Sequence, residues 1–467
     1  MVSALLHPDH PDRAILLTAL LLLTGGFCGG LLLDPAFYWL MLVVGAAGGV
    51  LLLVWRFTTG FCVAWLLITA ASLEMTLNDL VGPGAYTPTI AVVKASGLLL
   101  AAICALRFGV RADLANPVLA YLFILLAGWA HGLYPGLTAA DSLRSFIGSA
   151  APFAFAFVRL PRGWAAAMIS ATQWCALAVV MAAVPLAVAG LRPLFVDSGG
   201  FRLAGLGHPA FLANVCLPAI YASLMQAFRR GRPGDLALLA INGLILVLTG
   251  ARAPLAYAVA VTAISLLAVP APMFPAASRR LLLLAGGLAV PVLVALAGTF
   301  ADIRIVNVTV NETANLSGRE LLWPAFRLAA AQSPWFGWGL GAGNFIIPPD
   351  SAVARTLQTW AAHNEYLRME VEGGEVGRAL LVLSFAMWAW VHTRRLPGSD
   401  RMILRLAFLA FGFHAITDNV LISTPACVLF TFAAAAFARA QNNAPAARIP
   451  GIGVRSRFAL PDSRTLA

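Results

Sequence analysis

Apolar runs about as long as a bilayer-crossing helix recur from one end of this sequence to the other, and nothing constrains its fold more. A helix needs about 20 mostly apolar residues to cross the hydrocarbon layer. Such runs fall at roughly 14–33, 36–55, 57–75, 90–106, 117–135, 145–159, 164–190, 209–227, 235–250, 253–270, 281–300, 376–392, 403–420 and 423–438. The run at 145–159 is short, and several neighbours have almost no loop between them. The expectation is an all-α polytopic membrane protein of about 12–14 transmembrane helices. Hydrophobic residues make up 60% of the 467 and charged residues 11%, where soluble proteins carry roughly 25% charged residues. So much apolar surface cannot be hidden in a water-soluble core, whereas lipid accepts it everywhere. The run at 14–33 after Arg13 is long for a cleaved leader and lacks a small-residue cleavage pattern, so it reads as the first membrane helix.

The formal net charge is +11. Its basic residues do not gather into one binding face, as nucleic-acid recognition would need. They sit in short groups between the apolar runs: Arg56, Arg107, Arg111, Arg159, Arg162, Arg229, Arg230, Arg232, Arg279, Arg280, Arg394, Arg395 and Arg401. With alternating spans all of these fall on one side, together with Arg13 and the tail arginines 439, 448, 455 and 457. Positively charged loops stay in the cytoplasm, so both termini are expected there, with the protein in a bacterial inner membrane. The opposite, periplasmic side receives Asp34, Asp79, Asp141 with Arg144, Asp197 with Arg202, and the one long polar stretch, 301–375. The six cysteines lie in apolar segments and form no CxxC pair, which suits small buried side chains better than metal or disulfide chemistry.

Long polar insertions between membrane helices commonly carry function. In this one, Leu322, Trp323, Phe326 and Ala330 fall on one face at helical spacing, predicting an amphipathic helix at the membrane surface. Glycines follow at 337, 339, 341 and 343, allowing tight turns or close approach to a ligand. No GK[ST] follows them, so this is not a nucleotide loop. His363 comes just before the chain returns to the bilayer.

The ordered series Arg319, Trp323, Pro334, Gly337, Gly339, Gly341, His363-Asn364, Glu372, Gly374 and Gly377 resembles the signature of the O-antigen ligase/polymerase superfamily. FRLAGLGHPAFLAN (201–214) and LTGAR (248–252) resemble two upstream motifs, with Ala210 where asparagine and Ala251 where serine is usual. The resemblance covers roughly 200–440. It divides the chain into an N-terminal transmembrane bundle (1–200), a ligase-like core (201–440) including the periplasmic loop 301–375, and a disordered cytoplasmic tail (441–467). It implies a metal-independent, inverting glycosyltransferase that moves a glycan from a polyprenyl-diphosphate carrier to an acceptor hydroxyl at the periplasmic face, with no cofactor. The acceptor is a glycan or a lipid-A core.

The chemistry of the residues fits that implication. A departing lipid diphosphate needs positive charge, and the outer side has no Asp-x-Asp to hold a metal. Guanidinium groups pair with phosphate in bidentate fashion. Arg202, Arg252 and Arg319 are the candidates, each weighed against an ordinary surface or loop charge. Arg252 interrupts an apolar stretch, where charge is costly unless it lies at a hairpin tip. His363 is the candidate base, since imidazole side chains titrate near neutrality. Asn364 and Glu372 are supporting candidates, with Glu372 orienting His363 or binding sugar hydroxyls. Glu74 and Lys94 can pair near the outer ends of their helices. His414, Asp418 and Asn419 interrupt the last apolar hairpin and either line the site or bond helices together. His208 reads as a helix-start residue. Ligation is the reading adopted. Polymerisation of glycan repeats and protein O-glycosylation are alternatives, and a lipid-linked-glycan flippase is the rival without chemistry. That rival calls for a repeat relating two halves, and the sequence shows none.

Overall fold

A computed structural model describes residues 48–197, 200–269, 274–295, 321–357 and 359–443. The expected helices at 14–33 and most of 36–55, residues 301–320 of the polar stretch with Arg319, and most of the tail lie outside these residues. Helices are numbered here among the described residues.

The fold is all-α and polytopic. The helices are α1 (Gly48–Arg56), α2 (Thr58–Ala70), α3 (Leu73–Val81), α4 (Tyr86–Phe108), α5 (Val118–His131), α6 (Ala139–Ala150) and α7 (Arg162–Val188), followed by the hairpin β1 (Phe195–Asp197) and β2 (Phe201–Leu203). Then come α8 (Pro209–Arg230), α9 (Pro233–Leu248), α10 (Arg252–Ala268), α11 (Ala276–Ala295), α12 (Trp323–Gln332), α13 (Ala352–Leu357), α14 (Glu365–Thr393), α15 (Gly398–His414) and α16 (Pro425–Asn443). Among the described residues, α4, α7, α8 and α14 are long and apolar enough to cross a membrane, and α1 with α2 make a fifth if that pair, bent by 96°, counts as one span. Helices α5, α9, α10 and α16 are apolar but shorter.

Helix α8 is the centre of the bundle and is buried on nearly every side. Its small residues Ala213, Cys216, Ala219, Ala222 and Ser223 let α7, α9, α10, α15 and α16 pack closely around it. A second, smaller core lies in the polar segment, where Leu322, Phe326, Ala330, Ile346, Leu367 and Val371 cluster. The amphipathic face read from the sequence is therefore the buried side of α12. Trp323 and Trp338 each donate an indole N–H to a carbonyl of that segment, at Ala362 (2.9 Å) and Ala329 (2.7 Å).

Two of the expected spans differ in the structure. The run at 145–159 is not one helix: α6 ends at Ala150 and a 3₁₀ turn, Ala151–Phe157, follows with Pro152 near its start. Proline has no N–H to donate, and the Phe and Ala residues around it pack into the core. The run at 57–75 breaks at Ser72, whose φ of 49° puts a serine in the left-handed region, at a cost of about 1–2 kcal/mol. Hydropathy continues through this break, but the chain turns there into the separate helix α3.

Arginines expected to share a side do come together. Arg107 bonds to the carbonyls of Trp55 and Arg56, and Arg159 N–H donates to Gly109 at 2.9 Å. Arg111 lies 3.2 Å from His392 at the far end of α14. Asp113 is the acidic centre there, 3.0 Å from His392 Nε2 and accepting Trp388 Nε1–H at 3.0 Å. Burial raises the Asp113 pKa, but the bonds from His392 and Trp388, with Arg111 nearby, outweigh it and hold the carboxyl below its usual range. His363 lies at the opposite end of α14, about 40 Å away at 1.5 Å per residue.

Candidate active site

The site forms where the return of the chain into the bilayer meets the turn between α15 and α16. Asn364 caps α14, its side-chain oxygen accepting Leu367 N–H at 3.1 Å. Satisfying that end of the helix is its structural role. His363, one residue earlier, is held at φ 48°. Its Nδ1 is 3.1 Å from Asp418 Oδ1 and its Nε2 is 3.0 Å from Thr359 Oγ1. An ionised carboxylate only accepts, so Nδ1–H donates to Asp418 and Nε2 accepts the threonine hydroxyl. That tautomer leaves Nε2 as the basic nitrogen.

Asp418 has a second histidine neighbour. Its Oδ2 is 3.8 Å from Nε2 of His414, whose ring lies 5.4 Å from that of Tyr257 on α10. Five residues before Tyr257, α10 begins at Arg252, a rise of about 7.5 Å. Arg202, on β2, donates Nε–H to the carbonyl of Thr249 at 2.8 Å, in the turn that leads into α10. Arg202 therefore bonds to the turn from which Arg252 starts α10, and Tyr257, farther along α10, is linked to His363 through His414 and Asp418. Arg319 lies outside the described residues.

Glu372 faces another partner. Arg368, one helical turn earlier, bonds Glu372 Oε2 at 3.0 Å and Glu365 Oε2 at 2.7 Å. All three are buried, and the two carboxylates compensate the guanidinium. Glu365 also holds the α15–α16 turn: its N–H donates to Ala415 O at 2.8 Å and its Oε1 accepts Leu421 N–H at 2.7 Å. The carboxylate beside His363 is thus Asp418, while Glu372 braces the helix below. Lys94 and Glu74 both reach this same turn, at Ile422 O (2.9 Å) and Thr424 Oγ1.

The glycine series brings backbone against backbone. Helix α14 leaves helical geometry at Gly374 (φ 60°, ψ −167°). Segment 334–339 lies in the break, with Trp338 N–H donating to Val371 O and Gly339 N–H to Glu372 O, both at 2.9 Å. A Cβ on Gly337 would lie 2.5 Å from the Glu372 carbonyl carbon, and one on Gly374 would lie 2.3 Å from that of Trp335. Beside the site, an apolar groove of about 460 Å³ runs between α14 and α15 from Glu365 and Tyr366 past Phe385 to Trp390 and Arg405.

Thr359, Arg368 and Glu365 carry no weight in the sequence reading, and Asp418 enters it only as a polar interruption. The spacing of four between Arg368 and Glu372 was a readable signal. The pairing of residues 363 and 418 had none.

An all-α multi-pass membrane protein with a histidine–carboxylate couple and a basic hairpin tip at one end is the class these features define. Residues 237–382 match the family model described as O-antigen ligase, which supports the O-antigen ligase/polymerase superfamily. That match includes Arg252, His363 and Glu372 and leaves Arg202 and Asp418 outside. No curated protein matches the chain. The match supports glycan transfer of the O-antigen ligase/polymerase type in general.

Proposed function

We propose that this protein transfers a glycan from a polyprenyl-diphosphate carrier to an acceptor hydroxyl at the periplasmic face of the inner membrane, with inversion at the anomeric carbon and without a metal. The observation that carries this reading is the His363 ring fixed between Asp418 and Thr359, with Arg202 bonded to the turn that leads into Arg252.

The acceptor hydroxyl takes the place of the Thr359 hydroxyl at Nε2 and gives its proton to that nitrogen. Its oxygen attacks the anomeric carbon from the face opposite the diphosphate. The bond from that carbon to the diphosphate oxygen breaks, and its electron pair leaves with the phosphate. Asp418 supports the imidazolium formed. Arg202, Arg252 and Arg319 receive the negative charge, each charged hydrogen bond contributing about 1.5–3 kcal/mol. The groove beside Glu365 takes the isoprenoid tail, because it is apolar and begins two residues from His363.

Purified protein in proteoliposomes with a synthetic polyprenyl-diphosphate glycan should give product of inverted anomeric configuration, and His363→Ala should give none. Retained configuration, or full activity without His363, refutes the mechanism. Ligation onto a lipid-A core is the favoured version. Deleting the gene should then leave polymer on its carrier and cores undecorated, whereas single repeat units on the cores mark a polymerase.

A further inference from the structure

Helix α3, nine residues long, lies outside the family match and has no part in the chemistry above. It nevertheless touches both loops that carry the proposed chemistry. On one side, Thr76 Oγ1–H donates to the carbonyl of Leu206, and Asp79 pairs with Arg192 at 2.9 Å. Arg192 in turn donates to Leu206 O at 2.7 Å, Gly207 O at 2.8 Å and Thr76 Oγ1 at 3.1 Å. These bonds fasten the root of the β1–β2 hairpin on which Arg202 sits. A hairpin of two three-residue strands has little stability of its own, so the height of Arg202 depends on that root. A Cβ on Gly207 would lie 3.0 Å from the Ser72 side chain, so α3 and the hairpin root are in tight contact.

On its other side, α3 holds the turn that bears Asp418. Glu74 is fully buried and accepts the Thr424 hydroxyl, while Lys94 of the neighbouring α4 donates to Ile422 O at 2.9 Å. The second Glu74 oxygen is buried without a hydrogen-bond partner. Leaving it so is costly, and helix packing alone does not call for a carboxylate there. The left-handed Ser72 aims α3 across the end of the bundle so that one short helix reaches both loops.

We propose that α3 is a positioning element for glycan transfer. Asp79 and Thr76, acting through Arg192, set Arg202 against the donor, and Glu74 with Lys94 sets the turn that aims Asp418 at His363. This rests on the reading of Arg202 and His363 given above. One arm acts on donor binding as well as on the leaving group and the other on the base alone, so their effects on donor KM separate.

The test uses full-length protein in nanodiscs, with initial rates measured against donor concentration and normalised to folded protein. Arg192→Gln should raise donor KM about tenfold and lower kcat with it, since a fraction of an ångström suffices to misplace a group that both binds the diphosphate and receives its charge, and Arg192→Lys should recover part of the loss. Glu74→Ala should lower kcat about tenfold at unchanged KM, and Glu74→Gln, which keeps an oxygen for Thr424, should stay near wild type. Thr424→Val removes the same bond with a smaller change, carries the test if Glu74→Ala does not fold, and should not add to Glu74→Ala in the double variant. The proposal is overturned if the variants lose only folded yield while kcat and KM per folded molecule match wild type, or if Glu74→Ala raises donor KM as Arg192→Gln does. Full activity in His363→Ala would instead sink the underlying enzyme reading. Normal α3 variants alongside an inactive His363→Ala would sink this inference alone.

Discussion

Replacing Asp418 with asparagine removes one charge and leaves the side chain's size unchanged. In the resting site the loss is small, because an amide oxygen still accepts from His363 Nδ1 and from the Asn419 N–H that Asp418 now receives at 2.9 Å. The effect appears when Nε2 takes the acceptor's proton and the ring becomes cationic. Two unit charges about 4 Å apart interact by about 4 kcal/mol at an effective dielectric of 20. The side chains of His363 and Asp418 are 18% and 20% exposed, and solvent screening reduces that to roughly 2 kcal/mol. A barrier raised by this amount slows kcat about thirtyfold, against about 10²–10⁴ for losing the base itself in His363→Ala. The assay is the initial rate of purified protein in proteoliposomes, at saturating donor and acceptor, with folded protein counted by size exclusion. An Asp418→Asn rate within twofold of wild type, or a defect confined to KM, would refute the role given to the carboxylate.

Arg202→Ala and Arg252→Ala should each weaken donor binding or slow transfer by about 1.5–3 kcal/mol, read as kcat/KM with donor varied. The rate should persist after exhaustive chelation with EDTA, because guanidinium groups carry the charge neutralisation; an absolute requirement for a divalent ion would contradict that. Gly374→Ala places a Cβ 2.3 Å from backbone at a positive φ and should cost more than about 2 kcal/mol, visible as lost folded protein; a fully stable variant would show that the crossing of segment 334–339 over α14 is not tight. Asp113→Ala removes a buried partner of His392 and should cost about 3 kcal/mol, measured as a fall in Tm. Because the Asp113 pKa is depressed in the fold, the stability it gives is present above the ordinary carboxylate value of about 3.9 and is lost as pH falls through the lower folded value. The acid unfolding limb of Asp113→Ala should therefore be flatter there. A cysteine placed at the exposed Asp350 should react with an impermeant thiol reagent from the periplasm; labelling only after the membrane is opened would invert the topology.

Hydropathy made the bundle legible because crossing the hydrocarbon layer imposes one rule on every span, and α4, α7, α8 and α14 obey it. It misread 57–75 and 145–159, where local backbone geometry at Ser72 and the 3₁₀ turn decide the path and average hydropathy does not. The buried face of α12 was readable from spacing alone. In the site, His363 stood out by its position in a motif, and the place of Arg252 at a hairpin tip was implied by charge in an apolar stretch, whereas the bond from Arg202 to the turn before it was not. The identity of the carboxylate beside His363 was not readable. Glu372 is nearer in sequence, yet a helical spacing of four gives it to Arg368, and the partner comes from 55 residues further on. Such pairings arise from how helices pack, which one sequence without its structure does not encode locally.

The bond between Glu74 and Thr424 joins residues 350 apart in the chain. A ribosome delivers the first of these to the membrane long before the second. Until α15 and α16 have been inserted, the nascent protein holds its arginines and His363 with no Asp418 beside them. On the proposed mechanism, chains cut short by stalling or proteolysis before α16 lack the carboxylate that supports His363, and full competence comes only late in biogenesis.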